Sequence, residues 1–188
     1  MPGSRERLLT AAVEAFAAKG FHATTTRDIA LAAGMSPAAI YVHHRSKEDL
    51  LHVISVNGHR GLLSAVTHAV EQAATPSDQL AALVQTWVSL TARNQAVSRV
   101  VADELDVLTP EHRAEVVQIR RELEATVRRV VDAGVAAGEF VTDAPPLTTR
   151  AIISLGMDVA RWYRPEGAWS VEQIADHFSA AALRLVRP

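Results

Sequence analysis

Side chains able to bind an anionic polymer are concentrated between Thr24 and Lys47. Hydroxyl, guanidinium, imidazole and ammonium groups all donate hydrogen bonds to phosphate oxygens, and a guanidinium also matches the O6 and N7 acceptors of guanine. The residues with such groups in this segment include Thr25, Thr26, Arg27, Ser36, Tyr41, His43, His44 and Lys47. These groups could touch DNA if the elements that carry them bring them to one surface.

The first element that must position these groups is a short helix. Thr26 is predicted to cap it, because a threonine hydroxyl accepts a bond from a helix-start N–H group. The helix runs to about Ala33, with Ile29 and Ala30 on its apolar face at helical spacing. Gly34 then supplies the positive φ that a helix exit needs.

A second short helix is predicted from Pro37 to about His43. Ser36 is a good N-cap, and proline is favoured at the first helical position. Two short helices joined by a glycine-containing turn form the helix-turn-helix pattern. In that motif the second helix lies in the major groove of DNA and its early residues meet the bases.

The segment carries the order Thr25-Thr26-x-x-Ile29-Ala30-x-x-Ala33-Gly34-Met35-Ser36-x-x-x-Ile40-Tyr41-x-His43-x-x-x-Lys47-x-x-Leu50. This order resembles the TetR family of bacterial transcriptional regulators. With the flanking helices, the resemblance covers about the first 55 residues. One departure is His44, where the family usually has an aromatic or aliphatic residue.

The resemblance implies a role for each matching residue. Thr26, beside Thr25 at the helix start, would hold a phosphate, and Arg27 would reach a base edge, most plausibly guanine. Backbone phosphates would be bound by Tyr41, His43 and Lys47, and the groove would be faced by Ser36, Pro37, Ala38 and Ala39. The two alanines offer only methyl contacts. His44 either packs its ring under the recognition helix or adds a phosphate contact. The alternative is that all these residues are ordinary caps and surface polar groups of a helical domain.

The composition is that of a packed protein, with 48% apolar and 21% charged residues. The absence of cysteine excludes a disulfide framework and a thiolate metal site. No apolar run approaches the ~18 residues of a membrane span. Glu14 interrupts the N-terminal apolar stretch, which fits an amphipathic helix better than a signal peptide. We therefore expect a cytoplasmic protein without membrane contact.

Charge is distributed unevenly along the chain. Residues 1–47 carry six Lys/Arg against three Asp/Glu, a net of +3, whereas the whole chain has a net charge of −2. This asymmetry fits a basic DNA-binding head on a larger acidic body. We predict a helix-turn-helix domain over 1–46 and a ligand-binding and dimerisation domain over 47–188, with a linking helix at about 47–74.

Helical periodicity, interrupted by proline and glycine, continues through the rest of the chain, and no segment alternates convincingly as a strand. The prediction is an all-α, TetR-like fold of about nine helices: three in the head, one linking helix and five in the body. The last two helices place apolar residues at helical spacing, namely Ala151, Leu155 and Val159, then Val171, Ile174, Phe178, Ala181 and Leu185. The pattern alone fits packing on the chain's own body equally well. The resemblance implies a homodimer through these helices, which suits a palindromic double-stranded operator.

The resemblance also implies a small-molecule pocket in the body. Aromatic and methionine side chains suit an apolar effector. The candidate lining residues are Trp87, Leu90, Asn94, Val101, Leu105, Ile153 and Met157. The phrase Arg161-Trp162-Tyr163-Arg164-Pro165 resembles a subset of the family, the actinobacterial repressors of steroid and fatty-acid catabolism that respond to acyl-CoA thioesters. Arg161 and Arg164 would meet CoA phosphates there while Trp162 packs on the apolar tail. The alternative is a helix end that anchors the dimer.

The predicted function is a repressor released from its operator by a small apolar effector such as an acyl-CoA. Alternatives are a drug sensor that controls an efflux pump, a DNA-binding protein without a ligand, and a small helical enzyme. No glycine-rich phosphate loop, Gly-x-Ser-x-Gly elbow or His-x-x-x-His pattern supports the enzyme. Asp103-Glu104-x-Asp106 with His112 has metal-ligand residue types, but we interpret it as an acidic surface turn. No metal or cofactor is expected.

Overall fold

The computed structural model describes residues 3–103 and 105–186, and within these ranges the regular secondary structure is entirely helical. Nine α-helices follow one another: α1 (Ser4–Ala23), α2 (Thr26–Ala32), α3 (Pro37–His43), α4 (Lys47–Gln72), α5 (Pro76–Arg93), α6 (Gln95–Asp103), α7 (Pro110–Ala136), α8 (Pro145–Trp162) and α9 (Val171–Val186). The predicted all-α fold and helix count are confirmed. A separate 3₁₀ turn follows α6 at Leu105–Val107.

The chain folds into two compact units. The N-terminal unit comprises the described residues of Met1–Gly58 and Ala96–Val117, and the C-terminal unit those of His59–Gln95 and Gln118–Pro188. This division follows packing, whereas the boundary predicted after residue 46 concerns function and stays a prediction. Among the helices of the described ranges, none combines the length and the apolar character needed to cross a bilayer.

The core of the N-terminal unit is built from one apolar face of each of its first helices. Fully or almost fully buried side chains come from α1, α2, α3 and α4: Leu8, Ala12, Phe16, Ile29, Ala30, Ile40, Leu50, Leu51 and Ile54. Thr24 is also buried, and its hydroxyl donates to the carbonyl oxygens of Gly20 at 2.8 Å and Ala15 at 3.2 Å. These bonds fix the chain where α1 ends and α2 is about to begin.

In the C-terminal unit, α5 packs against both α8 and α9. Trp87 of α5 lies so close to Gly156 of α8 that a Cβ atom on the glycine would be 2.7 Å from the indole ring. Val159 and Ile174 are buried in the same core. Val159 and Ile174 belong to the apolar face predicted on the last two helices. That face therefore packs in part on the chain's own body.

Candidate DNA-binding interface and effector site

The start of α2 is fixed by a reciprocal capping box. The N–H of Asp28 donates to Thr25 Oγ1 at 3.1 Å, and the N–H of Thr25 donates to Asp28 Oδ2 at 3.0 Å. The Thr25 backbone bond, and next its side-chain bond, lower the pKa of Asp28 from its ordinary value. The cap is thus Thr25 and not Thr26, and the prediction was one residue late because the two threonines are equivalent by residue type.

Thr26 and Arg27 occupy the first turn of α2, the former half-buried and the latter exposed. Within the described part of the chain, neither the Thr26 hydroxyl nor the Arg27 guanidinium is held by a side-chain hydrogen bond or ion pair. Both groups therefore remain available to an external acceptor such as a phosphate or a base edge.

The turn between α2 and α3 is a Schellman motif. Gly34 has φ 67°, which confirms the predicted positive φ. The N–H of Met35 donates to Ala30 O at 2.9 Å, and the N–H of Gly34 donates to Leu31 O at 3.0 Å. These bonds satisfy the last carbonyls of α2 and set the direction in which α3 departs.

The recognition helix α3 has Pro37 at its first position and Ser36 as an N-cap in extended backbone, although the Ser36 side chain makes no capping bond. Ile40 is completely buried and anchors the helix. The side chains of Ser36, Pro37 and Ala38 are exposed, as is Tyr41 at 61%. The side chains of Ala39 and His43 lie outside the described residues. The exposed residues share α3 or its start and can meet one surface of a DNA groove.

His44 packs instead of projecting outward. It is only 2% exposed, and its Nδ1 lies 3.0 Å from Asp49 Oδ2 in the first turn of α4. Two roles were considered for His44, packing of its ring and a phosphate contact. In the structure the ring is packed at the end of α3. A phosphate contact would require the ring to leave this site.

Lys47 is likewise engaged within the protein. Its Nζ donates to Phe21 O at 2.8 Å and Thr24 O at 2.9 Å, with His22 O at 3.4 Å, and it lies 4.3 Å from the centre of the Phe21 ring. This ammonium stabilises the carbonyl end of α1. The predicted phosphate contact by Lys47 would have to replace these bonds.

Arg45 is a basic residue to which the sequence assigned no role. It is exposed directly after α3, and its N–H donates to Asp49 Oδ2 at 3.4 Å. Its place in the sequence could have indicated this position, because Arg45 directly precedes Ser46. The Ser46 hydroxyl accepts from the Asp49 N–H and so begins α4. The backbone of Arg45 is therefore held at the end of α3, and its side chain is exposed.

The predicted effector-lining residues are divided between the two units. Val101 and Leu105 belong to the N-terminal unit, and the others to the C-terminal unit. Trp87 and Ile153 are core residues, Leu90 is half-buried, and Asn94 and Arg161 are exposed. Met157 is 42% exposed and Trp162 36%, with the Trp162 ring 6.1 Å from that of Phe178.

The end of α8 is shaped by Arg164. Its guanidinium donates from Nη1 to the carbonyl oxygens of Tyr163 at 2.7 Å and Arg161 at 3.1 Å. Tyr163 is buried in the core, whereas Trp162 lies at the surface. Arg164 therefore acts here as a cap, and every residue of the phrase except Tyr163 is exposed.

Comparison with known proteins agrees with this architecture. Residues 8–54 match the family model of the bacterial regulatory proteins, tetR family, and residues 73–186 match the tetracyclin repressor-like C-terminal domain. The HTH-type transcriptional repressor KstR2 of Rhodococcus jostii is 31% identical over 184 residues, which span 96% of this chain and 90% of that protein.

Two solved structures have the same fold over the full chain. A bacterial regulatory protein in the tetR family from Rhodococcus RHA1 is 40% identical, with a TM-score of 0.94 and coverage of 100% of this chain and 98% of that one. The ketosteroid transcriptional regulator KstR2 of Mycobacterium tuberculosis is 25% identical, with a TM-score of 0.92 and coverage of 100% and 97%.

A helix-turn-helix head followed by an all-helical body is the architecture of a DNA-binding regulator. The chain belongs to the TetR family of DNA-binding transcriptional regulators.

Proposed function

We propose that this regulator is a dimeric repressor that leaves its operator when it binds an acyl-CoA thioester. The observation that carries the proposal is the capped α2–α3 unit, which exposes Arg27 and the start of α3 to solvent, with no hydrogen bond or ion pair holding the guanidinium in the described chain. Similarity to KstR2 repressors over nearly the whole chain supports repression as the mode of action.

Recognition of DNA is assigned to two sets of groups. Arg27 reads a base edge, while Ser36, Pro37, Ala38 and Ala39 face the groove. Backbone phosphates are bound by the helix start at Thr25 and Thr26 and by Tyr41 and His43, and exposed Arg45 joins them. Lys47 and His44 support this surface from beneath, since both are bonded within the N-terminal unit.

Dimerisation is assigned to the outward residues of α8 and α9. With Val159 and Ile174 buried internally, the exposed large apolar side chains assigned to this interface are Leu147, Met157 and Leu185. A two-fold dimer places two recognition helices on successive turns of a palindromic operator. The modest charge of each head makes paired binding important for affinity.

The effector class rests on the outward pair Arg161 and Trp162 and on the similarity to a ketosteroid regulator. A guanidinium matches CoA phosphates, and an indole packs on an apolar acyl group. Release of DNA then requires that the effector bind the non-operator conformation more tightly than the operator-bound one. We assign α4 as the mechanical link between effector and head.

The test is fluorescence anisotropy with an operator found by footprinting upstream of the gene itself. Arg27→Ala should cost roughly 1–3 kcal/mol of operator binding and relax specificity at one base pair. Arg121→Ala is the matched control, since it removes an exposed arginine from α7, outside the helix-turn-helix. Equal operator binding by the parent and Arg27→Ala proteins would remove Arg27 as a reader.

Effector binding is tested in the same assay by adding acyl-CoA thioesters of increasing acyl size. We expect acyl-CoA to release the parent protein from its operator. An Arg161→Ala, Trp162→Ala double variant should be released less readily. Release by cationic drugs, with no response and no calorimetric heat from any acyl-CoA, would replace the lipid effector with the drug-sensor alternative.

A further inference from the structure

A group of imidazoles and carboxylates lies in the N-terminal unit, where α4 begins and α7 begins. Its members are Glu48, Asp49 and His52 of α4, and His112 and Glu115 of α7. All five are at least partly protected from solvent, with the His52 side chain 14% exposed and that of Glu48 18% exposed. None of these residues is used in the DNA contacts or effector contacts proposed above.

Each of the two histidines is oriented by its own carboxylate. His52 Nε2 lies 2.9 Å from Glu115 Oε2, and His112 Nδ1 lies 2.8 Å from Glu48 Oε1 and 3.0 Å from Glu48 Oε2. A neutral imidazole that donates to a carboxylate from one nitrogen carries a lone pair on the other. In the neutral form that can bind a metal ion, these bonds leave the lone pairs on Nδ1 of His52 and Nε2 of His112.

Asp49 supplies a third ligand. Its hydrogen bonds within the described chain, from His44 Nδ1 and the Arg45 N–H, go to Oδ2, so Oδ1 is left to bind another group. One ligand atom each from Asp49, His52 and His112 lies within 4.8 Å of the other two. Asp49 and His52 are three residues apart in one helix, which places both on the same face.

We propose that Asp49, His52 and His112 bind a divalent transition-metal ion, with zinc as the best match. Two imidazoles and one carboxylate are an established donor set for Zn²⁺, leaving a position for water. The carboxylates of Glu115 and Glu48 lie within hydrogen-bond distance of His52 and His112. A carboxylate in this place raises the basicity of a metal-binding histidine and holds its orientation.

Binding requires one local rearrangement. The rings of His52 and His112 stack with centroids 3.7 Å apart and planes 3° from parallel. A metal ion lies close to the plane of each imidazole that binds it, so a shared ion requires one ring to turn out of the stack. The sequence had grouped His112 with Asp103, Glu104 and Asp106, but Asp106 pairs with Arg113 at 3.1 Å, and Glu104 and the side chain of Asp103 lie outside the described residues.

The site is tested on the full chain, stripped with a chelator and titrated with Co²⁺ and Zn²⁺. We expect visible Co²⁺ absorption bands that saturate at one ion per protomer and are displaced by Zn²⁺. A His52→Gln, His112→Gln double variant should lose the bands, while a His68→Gln, His177→Gln control, which removes two exposed histidines, should keep them. Asp49→Asn and Glu115→Gln preserve shape, and circular dichroism checks that each variant is folded.

The two conservative variants separate ligand from positioning roles. Glu115→Gln should weaken Zn²⁺ binding roughly 10–100-fold without removing the Co²⁺ bands, whereas Asp49→Asn should change the band pattern because it replaces a ligand. The proposal is overturned if the parent shows no bands, if the folded double variant binds as the parent does, or if the exposed-histidine control abolishes binding.

Discussion

Thr25 and Thr26 are neighbours of the same type with different tasks. Thr25 accepts the Asp28 N–H and so begins α2, whereas Thr26 lies within the first turn. Thr25→Ala should therefore destabilise the protein by about 1 kcal/mol, the usual cost of losing an N-cap. Thr26→Ala should leave stability nearly unchanged but weaken operator binding. Urea unfolding and anisotropy measure the two effects, and equal stability losses in both variants would contradict this division.

Asp28 gives the capping box a pH dependence. The bonds from Thr25 lower the pKa of Asp28 in the folded protein from its ordinary value of 3.8. The ionised carboxylate therefore stabilises the fold, and this stabilisation is fully present at pH values above that ordinary pKa. That stabilisation is lost as the pH falls through the lowered pKa of Asp28 in the folded protein. Asp28→Asn should remove this acid-dependent part of the unfolding free energy. Unfolding of parent and variant is compared over a pH series, with exposed Asp143→Asn as a control that keeps the parent's profile.

Local residue roles were more predictable than distant pairings. The positive φ of Gly34 and the capping of α4 by Ser46 follow from the residue's own chemistry and the adjacent sequence. The bonds of Lys47 to Phe21 and of His112 to Glu48 join residues 26 and 64 positions apart. Such contacts depend on tertiary packing, which a sequence pattern does not encode at the level of single side chains.

At the scale of elements, helix bounds were predictable because capping residues and prolines mark them. The surface on which the apolar faces of α8 and α9 pack was not predictable, since an apolar stripe packs equally well on its own chain or on a second copy. Val159 and Ile174 are buried internally, whereas Met157 and Leu185 are exposed. The predicted effector site stays a prediction for the same reason, because apolar side chains such as Trp87 serve equally as core.

The contact between α5 and α8 depends on a glycine. A Cβ on Gly156 would lie 2.7 Å from the Trp87 ring, so Gly156→Ala must displace either the indole or the helix. We expect a loss of about 1–3 kcal/mol, as for other overpacked cores. Gly61→Ala is the matched control, since Gly61 is also helical but its Cβ would meet no atom within 4 Å. That variant should gain about 0.5–1 kcal/mol. Both are read from chemical denaturation, and a stable Gly156→Ala protein would show that the contact is loose.

At the scale of the whole molecule, the charge distribution sets the conditions for binding DNA. The net of +3 over residues 1–47 opposes an acidic remainder, because the whole chain sums to −2. A single head of this charge neutralises few phosphates, and each phosphate contact contributes to the salt dependence of binding. On the proposed function, we therefore expect tight binding at moderate salt to depend on two heads acting on one operator.

A monomeric variant should reveal this requirement. Met157→Glu with Leu185→Glu places two charges on exposed positions of α8 and α9, so the fold is kept while an apolar interface is lost. Val135→Glu is the control, because it alters an exposed apolar residue on α7. Light scattering should show a monomer only for the double variant. Its slope of log affinity against log salt should be about half that of the parent, since half as many phosphates are contacted. A double variant that stays dimeric would assign the interface to another surface, and a monomer with the parent's slope would show that one head makes all the phosphate contacts.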